Sequence, residues 1–328
     1  MRSLERMKVL RRRYPLGFLR ELRNKEWWYT GIHDPRSGLY VSWYFVRVNL
    51  IDQLTMTVFD PRLGDGALPR LQQYCLLDRE QPGAGLSLRG GGRGWKVSFQ
   101  LVEDPGPDQG SWRFVLESAA LSADVRIAPV TPPFTKFDNE LRNHYAIVHY
   151  FQARATGRVS VAGGADHILD GALAYQDHCW GRVPSRTGWH WIAVQSERIA
   201  LTTLVNYGAY AQRFAQLWLA GGADGAAGGG APTRHDEWIR LEQGVSFERE
   251  ERTDLRGRWQ ITSTDLDLVL QPRQLVTDRT KIPPVVGLFV DLAHTEAAVT
   301  AEGRVRVDGR WIDTGPMHGV MEQHGGHW

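Results

Sequence analysis

What most limits the fold open to this chain is its division into short strand-like runs. Beyond residue 26 the sequence offers "LYVSWYFVRV", "DQLTMTVFD", "WKVSFQLVE", "SWRFVLES", "HYAIVHYFQA", "GRVSVAG", "WHWIAVQS" and "IALTTLVNY", all rich in β-branched and aromatic residues. Several alternate with period two, and Gly, Pro, Asp or Asn punctuates many of the gaps. "RHDEWIRLEQG" suits a strand or a helical turn, and the Gly/Ala tract from Gly221 to Ala231 reads as a surface loop. Many short strands at near-regular spacing specify an all-β protein built of sandwiches or barrels.

Self-similarity sharpens this expectation. Laying "WWYTGIHDPRSGLYVSWYFVRVNLIDQLTMTVFD" over "LAYQDHCWGRVPSRTGWHWIAVQSERIALTTLVN" without a gap brings Tyr29 onto Tyr175, Arg36 onto Arg182, Trp43 onto Trp189, Val48 onto Val194 and Thr57 onto Thr203. The implied unit is a duplicated β domain, and half of 328 residues is about the length of one small up-and-down barrel. The expected division is a basic arm over residues 1–26, a first barrel over 27–155 and a second over 156–328.

Composition excludes several functions. A formal charge of +2 makes no case for nucleic-acid binding, and two cysteines, Cys75 and Cys179, make none for a disulfide framework or a Cys-rich zinc site. With no secretory signal and two free thiols expected, the cytoplasm is the expected compartment. The arm interleaves Arg2, Arg6, Lys8, Arg11, Arg12, Arg13, Arg20 and Arg23 with Met1, Leu4, Met7, Leu10, Tyr14 and Phe18. As an amphipathic helix it would make peripheral contact with an anionic membrane. Pro15 and Gly17 would interrupt that helix, which favours a solvated arm packed on the body.

The chemistry concentrates in "AYQDHCWG" and the "WHW" that follows it. On a strand, Tyr175 and Asp177 share one face, as do Trp189 and Trp191. Flanking Leu173 and the indoles suggest that both faces point into a barrel. An aspartate there is costly unless paired, hydrogen-bonded or neutral, and a neutral one can donate a proton. An ion pair with Arg182 or Arg186 is the structural alternative. At the C-terminus His318, Glu322, His324 and His327 are the candidate metal ligands; without an HExxH motif or a nearby cysteine pair, no metal and no cofactor is expected. Glu322 is expected to pair an arginine instead, and "EWWY" at Glu26–Tyr29 to form a structural belt, with Tyr29 able to line the first cavity. His144 and His178 read as surface or satisfied polar residues, and "RGGGRGW" as a turn.

"EWWYTG", "AYQDHCWG" with "WHW", and "GVMEQHGG" together resemble the lipocalin-like family of carotenoid 1,2-hydratases, whose relatives include cofactor-free cyclases such as fungal Diels–Alderases. The resemblance implies two lipocalin-like (calycin-type) antiparallel barrels side by side. It also implies a functional Tyr-x-Asp pair, matched by Tyr175 and Asp177, and an upstream His-x-Trp, matched by His149 but with Phe151 in place of the indole. The expected function is a cofactor-independent enzyme acting on C=C bonds of an apolar terpenoid, polyene or polyketide by acid-initiated hydration or cyclisation. Asp177 would be the proton donor, Tyr175 its orienting partner and His149 the group that handles water. Trp189, Trp191 and Phe151, with Tyr29 and Trp43 from the first repeat, would contact substrate. The alternatives are a pericyclase that folds a polyene without proton transfer, and a carrier of apolar ligands.

Overall fold

The computed structural model describes residues 25–327 apart from 49–50, 65–66, 76–77, 81–86, 103–110, 132–133, 139–143, 183–185, 208–212, 221–238, 242–243, 251–254 and 286–287. The basic arm up to residue 24 and the Gly/Ala tract lie outside the described residues. Those described contain no α-helix; their strands form two antiparallel sheets, one of 12 strands and one of 10. Each sheet curls into a lipocalin-like barrel, as the strand pattern and the resemblance predicted.

The first sheet is centred on β1 (Lys25–Asp34), β2 (Leu39–Val48), β11 (His144–Val161) and β12 (Asp166–Arg182), in the order β2-β1-β12-β11. The second contains β13 (Arg186–Gln195), flanked by β14 (Ile199–Tyr207) and β22 (Met317–His327), with β20 (Leu288–Val307) beyond β22. Two compact units follow: one runs to Val183, and the other takes Pro184–Trp328 together with Pro61–Gly66. The division falls at Val183 and not at 155/156, because β11 and β12 pair with each other and β12 pairs with β1.

That pairing also limits the repeat. Tyr29 and Trp43 sit on adjacent strands of one sheet, whereas Tyr175 belongs to the first sheet and Trp189 to the second. The overlay thus matches residue types without matching positions.

The first core is aromatic: Trp28, Trp43, Phe45, Phe99, Trp112 and Phe114 are all buried in it. Trp43 stacks on Phe114 at 4.1 Å and Phe99 on Trp112 at 5.0 Å, contacts worth about 0.5–1.5 kcal/mol each beyond area burial. The second core is mainly aliphatic, with Ile192 and Val194 of β13 meeting Leu201, Leu217, Leu268 and Met321.

These cores fix which face of each strand is inside, and they correct two expectations. On β12 beyond the irregularity at Gly171 the core residues are Ala172 and Ala174, so Tyr175 and Asp177 occupy the opposite face. On β13 the core residues are Ile192 and Val194, so Trp189 and Trp191 also face away from their barrel's core. The bulk inside the first barrel comes from indoles on other strands, leaving small and polar side chains for the inward positions of β12. His178 is one of these: it bonds Glu26 Oε1 at 2.9 Å and stacks on Trp28 at 3.6 Å, a buried and satisfied polar group.

Candidate active site

The outer face of the first sheet is buried although it lies across the sheet from the core. Strand register places Tyr44, Tyr29, Asp177 and His149 in one row across β2, β1, β12 and β11. All four are at most 8% exposed. Such a row of phenols, a carboxyl and an imidazole requires partners, because an unpaired buried polar group costs about 1–3 kcal/mol.

Those partners form a chain. Tyr175 donates its phenolic proton to Asp177 Oδ2 at 2.7 Å, and His149 Nδ1 lies 2.7 Å from the same phenolic oxygen. Since that hydroxyl has one proton to give, His149 must carry its own on Nδ1, which leaves Nε2 as the ring's acceptor nitrogen. The Trp27 indole adds a weaker hydrogen bond to Asp177. Oδ1 of Asp177 has no partner within ordinary hydrogen-bonding geometry among the described residues.

Burial pushes the Asp177 carboxyl up from 3.8 to about 7, against the smaller downward pull of the Tyr175 and Trp27 hydrogen bonds. Among the described residues no guanidinium contributes to that balance, and Arg186 is exposed; the side chain of Arg182 lies outside the described residues. Burial thus shifts the carboxyl toward its neutral form, and Tyr175 occupies Oδ2 and not Oδ1.

Local sequence explains the geometry. His149 sits directly opposite Asp177 because the β11–β12 register is regular up to Tyr150. A bulge then intervenes before Ala153, with Gln152 at φ 53°, a conformation uncommon for a residue with a side chain. The bulge reverses which residues of β11 face the core: Tyr150 meets Trp112 before it, and Ala153 and Ala155 lie in the core after it. The Phe151 side chain lies outside the described residues.

Gly31 is the cross-strand neighbour of Tyr175, and the absence of its side chain matters. A Cβ there would lie 2.1 Å from the Tyr40 hydroxyl, which bonds the Tyr29 hydroxyl at 2.8 Å. Gly31→Ala should therefore displace Tyr40, break the Tyr29–Tyr40 bond and destabilise the first unit by about 1–3 kcal/mol. Urea denaturation checks this; an unchanged midpoint would show that the phenol has room to move.

The predicted site residues are thus only partly brought together. Tyr175, Asp177, His149 and Tyr29 converge, with the Tyr29 and Tyr175 rings 6.2 Å apart. Trp43 does not join them: it is stacked in the core on the other face, because odd-numbered residues of β2 point inward and those of β1, and of β12 beyond Gly171, outward. Trp189 and Trp191 belong to the second unit, where Trp189 stacks on His324 at 3.9 Å and Trp191 donates to Thr202 Oγ1 at 3.0 Å. Sequence reasoning misses Trp27, Tyr40 and Tyr44, whose strands share the outer face with Asp177; reading "EWWYTG" as a belt ignores which face each residue takes. At the C-terminus Glu322 meets His294 at 3.3 Å and His324 at 3.9 Å.

No protein-family model matches the sequence, and neither does any curated protein. Solved structures do. One described as a putative AttH from Nitrosomonas europaea is 17% identical, with 94% of this chain and 96% of that one covered at a TM-score of 0.59. Kievitone hydratase from Nectria haematococca is 12% identical over 92% of this chain and 88% of its own, at 0.62. CghA, solved with Sch210972, is 13% identical over 93% and 89%, at 0.61. The chain has the fold these proteins share, the two-barrel architecture that its resemblance to the hydratase-like superfamily implied.

Proposed function

We propose that this protein is a hydratase or cyclase that protonates a C=C bond of an apolar polyene, terpenoid or polyketide substrate, with Asp177 as the proton donor. The observation that carries the reading is the buried carboxyl of Asp177, hydrogen-bonded through Oδ2 with Oδ1 left over, in surroundings that raise it to about 7; in this reading Oδ1 carries the proton. An isolated alkene needs a strong, dry acid, because the cation it becomes has no lone pair to stabilise it. A hydratase among proteins of the same fold supports the reading.

In the proposed step the Oδ1–H bond breaks and a C–H bond forms at one alkene carbon, using the π electrons and leaving a cation at the other. Asp177 becomes a carboxylate, which Tyr175 stabilises by its hydrogen bond. Water then adds to the cation, and His149 Nε2 accepts the proton it loses, giving a tertiary alcohol. Alternatively an internal alkene adds, a ring closes, and a neighbouring C–H proton returns to Asp177. In the hydration branch the His149 Nδ1 proton then passes to the Tyr175 oxygen as the phenolic proton passes to Asp177 Oδ2, which restores the acid, so the cycle calls on no cofactor. Phenol faces of Tyr29 and Tyr44 would stabilise positive charge, by about 0.5–2 kcal/mol per contact.

Deuterium oxide separates this from its rivals. Incubation of polyene and terpenoid candidates in that solvent should yield product with one non-exchangeable deuterium at the carbon that accepted the proton. A product without that label would point to a pericyclic reaction, and substrate recovered unchanged across the panel to a carrier.

A further inference from the structure

We propose that the outer face of the second barrel carries a divalent transition-metal site, suited to Zn²⁺, formed by His294, Glu322 and His324. This goes beyond the proton-transfer reading and does not depend on it. Glu322 and His324 are two apart on β22 and therefore share a face, and His294 on β20 is the direct cross-strand partner of His324. Two positions on one strand and one directly opposite bring three ligands together on a sheet with little change of backbone. One ligand atom from each residue lies within 4.8 Å of the other two.

The separations suit an ion. His294 Nδ1 is 3.3 Å from Glu322 Oε1, and His324 Nδ1 is 3.9 Å from it. Donors about 2.0–2.2 Å from a tetrahedral ion stand roughly 3.3–3.6 Å apart, so small side-chain rotations complete the set. Two imidazoles and one carboxylate are borderline ligands that favour zinc and its neighbours over magnesium or calcium, which prefer oxygen alone. Trp189, stacked 3.9 Å from His324 with planes 6° apart, holds that ring in place. His324 is buried, while His294 and Glu322 are half-buried, leaving a route for the ion. Three protein ligands leave a fourth position for water or for an oxygen atom of a ligand. The other C-terminal histidines take no part: His318 is in register with Gln195 and Thr300, and His327 with Arg186 and Asp291.

The alternative is an ion-free cluster in which His294 hydrogen-bonds Glu322, and metal titration distinguishes the two. Full-length, tag-free protein is stripped with a chelator and titrated with Co²⁺, then with Zn²⁺ as competitor. One equivalent of Co²⁺ should bind with the visible absorption of a tetrahedral site and be displaced by Zn²⁺. Glu322→Gln and His294→Ala should bind at least about tenfold more weakly, whereas His318→Ala should bind as the parent does. Circular dichroism establishes that each variant is folded. Should His324→Ala fail to fold, the two half-buried positions carry the test. Failure to take up Co²⁺, or equal uptake by His294→Ala and the parent, would overturn the site.

Discussion

Asp177→Asn is expected to lower turnover by about 10²–10⁴-fold, the usual contribution of a positioned general acid. The amide keeps the shape of the carboxyl and its oxygen still accepts from Tyr175, but it has no acidic proton to give to carbon. The pH profile supplies a second signature. A donor with its carboxyl at about 7 must be protonated to act, so turnover should be level in mild acid and fall about tenfold per pH unit above neutrality. In this scheme the Tyr175 hydrogen bond holds the carboxyl down, so Tyr175→Phe should move the falling limb to higher pH. An Asn variant that turns over near the parental rate would end the acid mechanism. A parental profile flat from about pH 6 to about pH 9 would do the same.

Much of this was legible in the amino acids, and what was not has a physical cause. Period-two runs and turn residues specify strands, and lengths specify two barrels, because alternation is enforced wherever one face of a strand is buried. The pairing of Tyr175 with Asp177 follows from the same alternation. Alternation cannot say which face is inside when both are buried, and β12 is such a strand: Gln176 and His178 on one side are as inaccessible as Tyr175 and Asp177 on the other. The indoles misled for that reason, since Trp43 is core and Trp189 is not. His294 could not have been found from the C-terminal histidines, because its place beside His324 is a matter of register between strands far apart in the chain. The bulge at Gln152 is likewise unmarked in the sequence, where no Gly or Pro signals it.

The substitution that removes activity should also stabilise the protein in mild alkali. In the unfolded chain Asp177 loses its proton near about 3.9, and in the fold it keeps it to about 7. Across that window the folded state holds a proton the unfolded state has released, so stability falls as pH rises, by about 1.4 kcal/mol per unit. The loss sums to about 4 kcal/mol and is complete above neutrality. The asparagine side chain of the variant does not titrate, and the other ionisable groups around it are unchanged. The stability difference between the Asn variant and the parent should therefore grow in the variant's favour from about pH 4 to about pH 7 and then level off. Urea unfolding of the two proteins at matched pH isolates this term, because titrations common to both cancel in the difference. A difference that stays constant across the window would mean that the folded carboxyl is already ionised in acid, and a carboxylate has no proton to deliver to an alkene.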